Sequence, residues 1–150
     1  MNSSPCARHH SAGFTLIELM IATSISGVLA SVAYPSFSGA LQKMRRTEAL
    51  VAMIQVQQAQ ERWRSASSRY GTLAEVGVAS AVPGRNYLLS VAEPAATGYV
   101  AIAQATGAQA ADRQCRYMKL SVESGNLTYE SGDTEAAANN AQQNRQCWNQ

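Results

Sequence analysis

The feature that most constrains this chain is a long uncharged stretch near its N-terminus. Residues 19–42 contain no Asp, Glu, Lys or Arg. As a helix, this stretch would rise about 36 Å at about 1.5 Å per residue, which is enough to cross a bilayer core of about 30 Å. Thr23, Ser24, Ser26 and Ser31 make it only moderately hydrophobic, because each hydroxyl has to hydrogen-bond to its own helix or to a neighbouring one. The sequence therefore predicts a membrane-spanning helix that favours helical partners.

The segment before this stretch is polar and indicates a short cytoplasmic leader. Residues 1–13 carry Arg8 as their only charged side chain. An ordinary secretory signal has its small-residue cleavage site after the apolar region, whereas Gly13 precedes it. Cleavage after Gly13 would keep the apolar helix in the mature protein.

The string Gly13-Phe14-Thr15-Leu16-Ile17-Glu18, followed by an apolar stretch, resembles the processing signature of type IV pilins and the related pseudopilins. The resemblance implies that a prepilin peptidase cuts after Gly13 and that the new amino terminus, Phe14, becomes methylated. A carboxylate inside an apolar helix costs up to about 2.5 to 3.5 kcal/mol at the helix centre. The resemblance implies that Glu18 is neutralised by the amino terminus, Phe14, of a neighbouring subunit during filament assembly. Alternatively, Glu18 lies at headgroup level, near a helix N-terminus that favours an acid.

Two further positions match the same family. Gly27 and Pro35 lie where pilins often carry a helix-weakening Gly and a Pro, which implies that the helix between them loses regular hydrogen bonding in the assembled filament. Pro35 removes one donor, and Gly27 lowers helix propensity by about 1 kcal/mol relative to Ala. A simple kink at the membrane surface is the alternative.

Beyond the uncharged stretch, the helix is expected to continue as an amphipathic half. Residues 38–64 are mostly good helix formers, with no Pro and no Gly after Gly39. The expected core-facing stripe is Leu41, Met44, Glu48, Val51, Gln55 and Ala59, widened by Leu50, Met53, Ile54 and Val56. Residues 65–85 show no sustained period and indicate a connection from helix to sheet.

Short alternating runs then predict two β-hairpins. The first joins residues 87–91 to 99–103, and the second joins 116–122 to 127–130. The expected core positions are Leu89, Val91, Val100 and Ile102 in the first hairpin and Met118, Leu120 and Val122 in the second. The chain is thus predicted to be α+β, similar to the type IV pilin fold, with a long N-terminal helix packed on an antiparallel sheet of about four strands. Its expected parts are a leader (1–13), a transmembrane and filament-core helix half (14–42), and an amphipathic helix half with a globular head (43–150).

Cysteine usage indicates an oxidising compartment. Cys6 belongs to the leader, so the mature chain keeps Cys115 and Cys147, and such a pair in an exported domain favours a disulfide. The disulfide would stabilise the fold by about 3 to 4 kcal/mol in the chain-entropy model, and it would fasten residues 132–146, which are too polar to hold themselves in place. The pair matches the C-terminal disulfide region of type IV pilins, and Cys147-Trp148 resembles minor pilins in particular. Two free thiols are the alternative.

The remaining residues argue against catalysis. Without the leader, which holds His9 and His10, no histidine remains for a catalytic triad, a His-containing zinc site or most general-base schemes. The glycines form no phosphate-binding pattern, and the acids show no calcium-loop spacing. We therefore expect no enzyme activity, no catalytic residue, no metal, no cofactor and no small-molecule substrate.

The resemblance implies a structural subunit of a type IV pilus, of the minor kind. It would be stored in the inner membrane with its head in the periplasm, and then assembled with other pilin subunits into an extracellular filament. The positive-inside rule alone places the C-terminal part in the cytoplasm, because Lys43, Arg45 and Arg46 outnumber Arg8. Large domains, however, are translocated largely regardless of charge.

Two other functions compete with this interpretation. Some minor pilins of similar C-terminal design are DNA receptors in natural transformation, and four cations lie near the cysteines: Arg113, Arg116, Lys119 and Arg145. They could contact phosphates while Tyr117 stacks on a base. A net charge of +2 and the acids Asp112, Glu123 and Glu130 argue against it. A type II secretion pseudopilin is the third possibility, which the disulfide disfavours.

Overall fold

The computed structural model describes residues 13–136 and 140–148. Cys6 and all of the predicted leader except Gly13 lie outside the described residues. The chain divides into two compact units, Met1–Gly39 and Ala40–Gln150. Helix α1, Leu16–Ala66, begins in the first unit and ends in the second. It passes Gly27 and Pro35 without a break, and the loss of hydrogen bonding expected there in an assembled filament stays a prediction.

The second unit contains one antiparallel sheet of four strands. These are β1 (Tyr87–Ala92), β2 (Gly98–Ala105), β3 (Tyr117–Glu123) and β4 (Asn126–Gly132), arranged in the order β1-β2-β3-β4. The turn between β3 and β4 has two central residues, Ser124 and Gly125, both with positive φ. That geometry matches the right-handed twist of the flanking strands. A long helix packed on a four-stranded antiparallel sheet confirms the predicted α+β, type IV pilin-like fold.

The buried face of the helix overlaps the expected one only in part: Met53, Val56 and Ala59 were predicted to face the core and do so. Six residues of α1 are buried in the second unit: Ala49, Ala52, Met53, Val56, Ala59 and Gln60. Met44 and Val51, which were predicted to face the core, are more than half exposed. Three of these six buried residues are alanines. The sequence offers more apolar positions on this helix than one interface can cover, so periodicity alone does not identify the buried row.

Strand β2 is turned over relative to the prediction. Its core-facing residues are Tyr99, Ala101 and Ala103, and register places Ala103 opposite Leu89 on the same face. Val100 and Ile102, which were expected on the same side as Leu89, therefore lie on the other face of the sheet. Ile102 is nevertheless buried there, and Val100 is partly buried. The bulky aliphatic side chains suggested the core face, but the helix packs on the side where the alanines leave room.

The other core predictions in the strands agree with the structure. Leu89, Met118, Leu120 and Val122 are buried in the core, and Val91 packs against it partly buried. The second hairpin was thus oriented correctly because its apolar residues alternate strictly with polar ones.

The polar C-terminal segment contains a helix that the sequence did not predict. Helix α2, Ala141–Trp148, begins after Asn140, whose side-chain oxygen accepts from the backbone N–H groups of Gln142 and Gln143. Two side chains of α2 hydrogen-bond to backbone carbonyls of β4, Asn144 to Tyr129 at 2.7 Å and Trp148 to Glu130 at 3.1 Å. The segment has too little apolar periodicity for the helix to be recognised from the sequence, and polar contacts with β4 supply part of its attachment.

Candidate assembly segment and nucleic-acid interface

The first unit exposes a continuous apolar surface. Every large hydrophobic side chain from Phe14 to Phe37 is exposed, between 54% and 88% of its surface. By length and composition, the helix is able to cross a membrane, and none of its most apolar window is buried. Exposed apolar surface is unfavourable in water by about 25 cal/mol per Å². This segment therefore requires a lipid or protein environment.

Hydroxyl groups in this segment satisfy their own hydrogen bonds. Thr23 donates to the carbonyl of Leu19 at 3.0 Å, Ser24 to that of Met20 at 2.7 Å, and Ser31 to that of Val28 at 2.7 Å. Such bonds to the preceding turn remove the need for a partner helix to accept these protons. The sequence suggested that these hydroxyls need a neighbouring helix as a hydrogen-bond partner. The three residues do not need one, because each donates to its own helix.

The start of α1 is a reciprocal capping arrangement between Thr15 and Glu18. The carboxylate of Glu18 accepts from the backbone N–H of Thr15 at 2.9 Å and from its hydroxyl at 2.7 Å. The hydroxyl of Thr15 in turn accepts from the backbone N–H of Glu18 at 3.3 Å. This is a capping box, which stabilises a helix N-terminus. Glu18 thus has a local partner, Thr15, and the spacing Thr-x-x-Glu is the sequence signal that indicates it.

The four cations proposed for DNA contact differ in their surroundings. Arg113 and Arg116 share the carboxylate of Asp133: Arg113 Nε lies 3.1 Å from Oδ2, and an Arg116 guanidinium nitrogen lies 2.7 Å from Oδ1. Lys119 Nζ lies 3.5 Å from a carboxylate oxygen of Glu130. The structure therefore brings three of the four cations into ion pairs with acids.

The fourth cation and the aromatic residue lie on other elements. Arg145 is exposed on α2 and has no ion pair with any acid in the described ranges. Tyr117 lies half-buried on β3, on the same sheet face as Lys119 and opposite the face that packs on the helix. Two of the acids expected to offset these cations differ in their partners. Glu130 pairs with Lys119, whereas Asp112 pairs with Arg46 of α1.

The segment that carries Arg113 is fixed by a buried polar network. Two 3₁₀ turns, Gly107–Ala111 and Arg113–Cys115, flank Asp112, which is buried. Asp112 accepts from Arg46 of α1 at 2.5 and 2.8 Å and from Gln109 at 3.0 Å. The partners lie 66 residues apart in sequence, so no local pattern could have revealed them.

Tyr87 extends the same network toward the disulfide. Its hydroxyl accepts from Gln109 at 3.2 Å and donates to the carbonyl of Cys115 at 3.2 Å. Burial raises the pKa of Tyr87 to about 12, with a further contribution from the negative charge of Asp112. The hydroxyl therefore remains protonated and able to donate throughout the physiological pH range.

The predicted disulfide is present. Cys115 and Cys147 are bonded, with their Cα atoms 5.5 Å apart, and both residues are buried. The bond joins the second 3₁₀ turn to α2, so it fastens both the cation-bearing segment and the C-terminal helix. Trp148 packs its ring 4.8 Å from that of Tyr129 on β4, which adds an apolar contact to the same attachment.

Comparison with protein families gives two adjoining matches. Residues 35–119 match a family described as "Type IV minor pilin ComP, DNA uptake sequence receptor", and residues 8–34 match the prokaryotic N-terminal methylation motif. The first match includes Arg113, Arg116 and Lys119 but ends before Asp133 and Arg145.

Two curated relatives are similar to parts of the chain. The type IV major pilin protein PilA of Myxococcus xanthus (strain DK1622) is 40% identical over 68 residues, which is 45% of this chain and 31% of that protein. The type II secretion system core protein G of Klebsiella pneumoniae is 36% identical over 81 residues, which is 50% of this chain and 58% of that protein. The matched region thus spans less than two thirds of either relative. The matched families and relatives are pilin or pilin-like proteins and do not represent enzyme families.

Proposed function

The chain belongs to the type IV minor pilin family, and on that basis we propose that it is a pilus subunit which assembles through its N-terminal helix. The observation that carries the proposal is the exposed apolar surface of residues 14–37, most of which lies within the range that matches the N-terminal methylation motif. An apolar N-terminal helix that begins within such a motif fits a membrane-anchored pilin. The subunit is stored in the inner membrane with its C-terminal part in the periplasm and then becomes part of an extracellular filament with other pilins.

Processing precedes assembly in this proposal. A prepilin peptidase removes residues 1–13 by cutting after Gly13, and Phe14 becomes the methylated amino terminus. Residues 14–42 form the transmembrane and filament-core half, and residues 43–150 form the remainder, in which Cys115 and Cys147 define the disulfide region. The mass of the mature chain, measured by mass spectrometry, tests this step: it should begin at N-methylated Phe14.

Glu18 is the residue proposed to direct assembly. In the isolated chain its carboxylate is bound only by Thr15 among the described residues, and it lies at the start of a helix with no cation in its first turn. The positive amino terminus of a neighbouring Phe14 would neutralise it inside the apolar filament core, where an unpaired charge costs several kcal/mol. Gly27 and Pro35 lie further along the same helix and would permit local loss of hydrogen bonding during packing.

Three variants separate assembly from helix capping. Glu18→Gln removes the charge but keeps an oxygen that accepts from Thr15, and Glu18→Ala removes both. Thr15→Ala removes the capping hydroxyl but keeps the charge and the backbone N–H that donates to it. We expect cleavage after Gly13 in all three variants, loss of filament incorporation in both Glu18 variants, and normal incorporation of Thr15→Ala. Incorporation is measured by immunoblotting sheared filaments against the membrane fraction. Normal incorporation of Glu18→Gln would refute the charge-pairing role.

A second function, DNA binding, is favoured by the description of the matched family as a DNA uptake sequence receptor. In this proposal Arg113, Arg116, Lys119 and Arg145 contact phosphates. No catalysis, metal or small-molecule substrate takes part. The operon context of a type II secretion system would instead favour the pseudopilin alternative, to which the relative protein G is similar.

A gel-shift experiment tests DNA binding with the full chain in detergent micelles. The test variant changes Arg113, Arg116, Lys119 and Arg145 to Ala, and a matched control changes Lys43, Arg45, Arg62 and Arg85 to Ala. Both variants lose the same formal charge, so the control removes the contribution of net charge. We expect salt-sensitive binding that the test variant loses and the control retains. Absence of salt-sensitive binding by the unchanged chain would refute the receptor function.

A further inference from the structure

The carboxylate of Asp133 lies between the two arginines of the candidate DNA interface. Arg113 is 75% exposed and reaches Asp133 through Nε alone, whereas Arg116 is 33% exposed. Arg116 is held further by hydrogen bonds from Nε at 2.9 Å and from a terminal nitrogen at 2.7 Å, both to the carbonyl of Ala110. Asp133 therefore fixes an exposed arginine beside one that the carbonyl of Ala110 also holds.

Lys119 is held in a similar way by the neighbouring strand and the segment after it. Its Nζ donates to the carbonyl of Glu135 at 2.9 Å and lies 3.5 Å from the carboxylate of Glu130. The three cations Arg113, Arg116 and Lys119 thus share the two carboxylates of Asp133 and Glu130. The cluster carries a formal charge of only +1 despite its three cations.

This arrangement lowers the affinity of the cluster for any phosphate. A phosphate that approaches Arg113 or Arg116 has to compete with a carboxylate already in place, so the exchange replaces one anion by another. Cations that are offset internally also release fewer counterions when DNA binds, and counterion release supplies most of non-specific affinity. Contacts to base edges depend less on counterion release than contacts to phosphates do, so offsetting the charge weakens them less.

We propose that Asp133 is a specificity-determining residue of this interface: its carboxylate orients Arg113 and Arg116 and suppresses their non-specific binding to DNA phosphates. Glu130 likewise offsets the charge of Lys119 and lowers its non-specific binding to phosphates. The proposal rests on the DNA-binding function proposed above and adds a property to it, namely that sequence-independent binding is held low by acids of the protein itself. A purely structural Asp133 would instead anchor the segment after β4 without affecting the salt dependence of binding.

The test compares charge-neutral variants in the full chain in detergent micelles. Asp133→Asn keeps the shape and one acceptor oxygen, and Glu130→Gln provides a second variant that acts on a different cation. Glu123→Gln is the matched control, because it changes the net charge equally at the far end of β3, about 20 Å from Tyr117 along the strand. Fluorescence anisotropy with a labelled random-sequence DNA duplex gives Kd over a series of salt concentrations. Enrichment of a random duplex pool, followed by sequencing, gives the specificity.

We expect Asp133→Asn to bind the random duplex about three- to tenfold more tightly at low salt, as one removed charge near a phosphate allows. The slope of log Kd against log salt should steepen by about 0.9, and the sequence bias of the enriched pool should fall. Glu130→Gln should act in the same direction, and Glu123→Gln should have a smaller effect than either.

Each outcome separates this inference from the function on which it rests. If the unchanged chain binds DNA but Asp133→Asn and Glu130→Gln bind no better than Glu123→Gln, the specificity role is refuted and the receptor function stands. If one variant fails to fold, as judged by tryptophan fluorescence, the other decides the same question. If neither the unchanged chain nor any variant binds with salt sensitivity, both proposals are refuted.

Discussion

The buried ion pair between Arg46 and Asp112 offers the sharpest test of how the second unit is held together. Their side chains are 12% and 4% exposed, and Asp112 accepts two hydrogen bonds from Arg46 and one from Gln109. We consider three variants: Arg46→Met, Asp112→Leu and the double change. The first leaves a buried carboxylate with a single donor, and the second leaves a largely buried guanidinium without its acid.

The expected magnitude follows from this burial. Removing one partner of a buried ion pair costs about 3 to 5 kcal/mol, because the other charge remains desolvated and uncompensated. An exposed pair would cost at most about 1 kcal/mol. Replacing both partners by apolar residues of similar volume is often neutral, so the double variant should be less destabilised than either single variant. In the double variant Gln109 keeps its contacts with Tyr87 and with the carbonyl of Gln42.

Urea unfolding of the full chain in detergent micelles measures these differences. Tryptophan fluorescence reports on the second unit alone, because Trp63 and Trp148 both belong to it. Urea is preferred to guanidinium chloride, since a salt would screen any charge that becomes exposed. Two results would contradict the reasoning: a loss below about 1 kcal/mol in either single variant, or a double variant whose loss equals the sum of the two.

Three other predictions concern individual contacts. Gly98→Ala should destabilise the second unit by about 1 to 3 kcal/mol or more, measured by urea unfolding, because an added Cβ would lie 2.0 Å from the backbone oxygen of Val122. Cys147→Ala should cost about 2 to 5 kcal/mol and should shift the tryptophan fluorescence, because α2 loses its covalent attachment. Glu75 should titrate by NMR with a pKa of about 2, lowered chiefly by hydrogen bonds from Arg69 and then by those from Thr72. Its stabilising effect is therefore present above the unfolded value of about 4.5 and is lost as the pH falls from there to about 2.

Each of these predictions has a matched control. Gly39→Ala also adds a methyl group to a glycine, but nothing lies within 4 Å of its added Cβ, so it should not destabilise the chain. Adding a reductant to the unchanged chain should reproduce the effect of Cys147→Ala. Arg69→Gln should raise the pKa of Glu75 toward its ordinary value, and an unchanged pKa would show that Arg69 is not its main cause.

Local patterns in the sequence determined much of this protein. The membrane-spanning helix was predicted from the uncharged residues 19–42, and the processing site from Gly13 and Glu18 just before them. Each of these signals lies in neighbouring positions of the chain. The strict alternation at Met118, Leu120 and Val122 fixed the orientation of β3 for the same reason, since side chains alternate between faces. The disulfide between Cys115 and Cys147 followed from cysteine usage in an exported chain.

Only the tertiary structure decided which surfaces meet. The helix buries Ala49 and Ala52 beside Met53 and leaves Met44 and Val51 exposed. Strand β2 turns its alanines toward the helix, whereas Ile102 is buried on the opposite face of the sheet. Close packing depends on how the elements meet in space, which the sequence pattern does not specify. Helix α2 lacks apolar periodicity and is attached by hydrogen bonds to β4, by the disulfide of Cys147 and by the ring contact of Trp148.

The ion pairs also depend on the tertiary structure and not on the local sequence. The sequence placed four cations near two cysteines, but whether they are available to a phosphate depends on acids that folding brings beside them. Asp133 lies 20 residues from Arg113, and Asp112 lies 66 residues from Arg46. Pairings over such distances leave no periodic trace in a single sequence, because they are set by how the turns and strands pack and not by the neighbours of each residue in the chain.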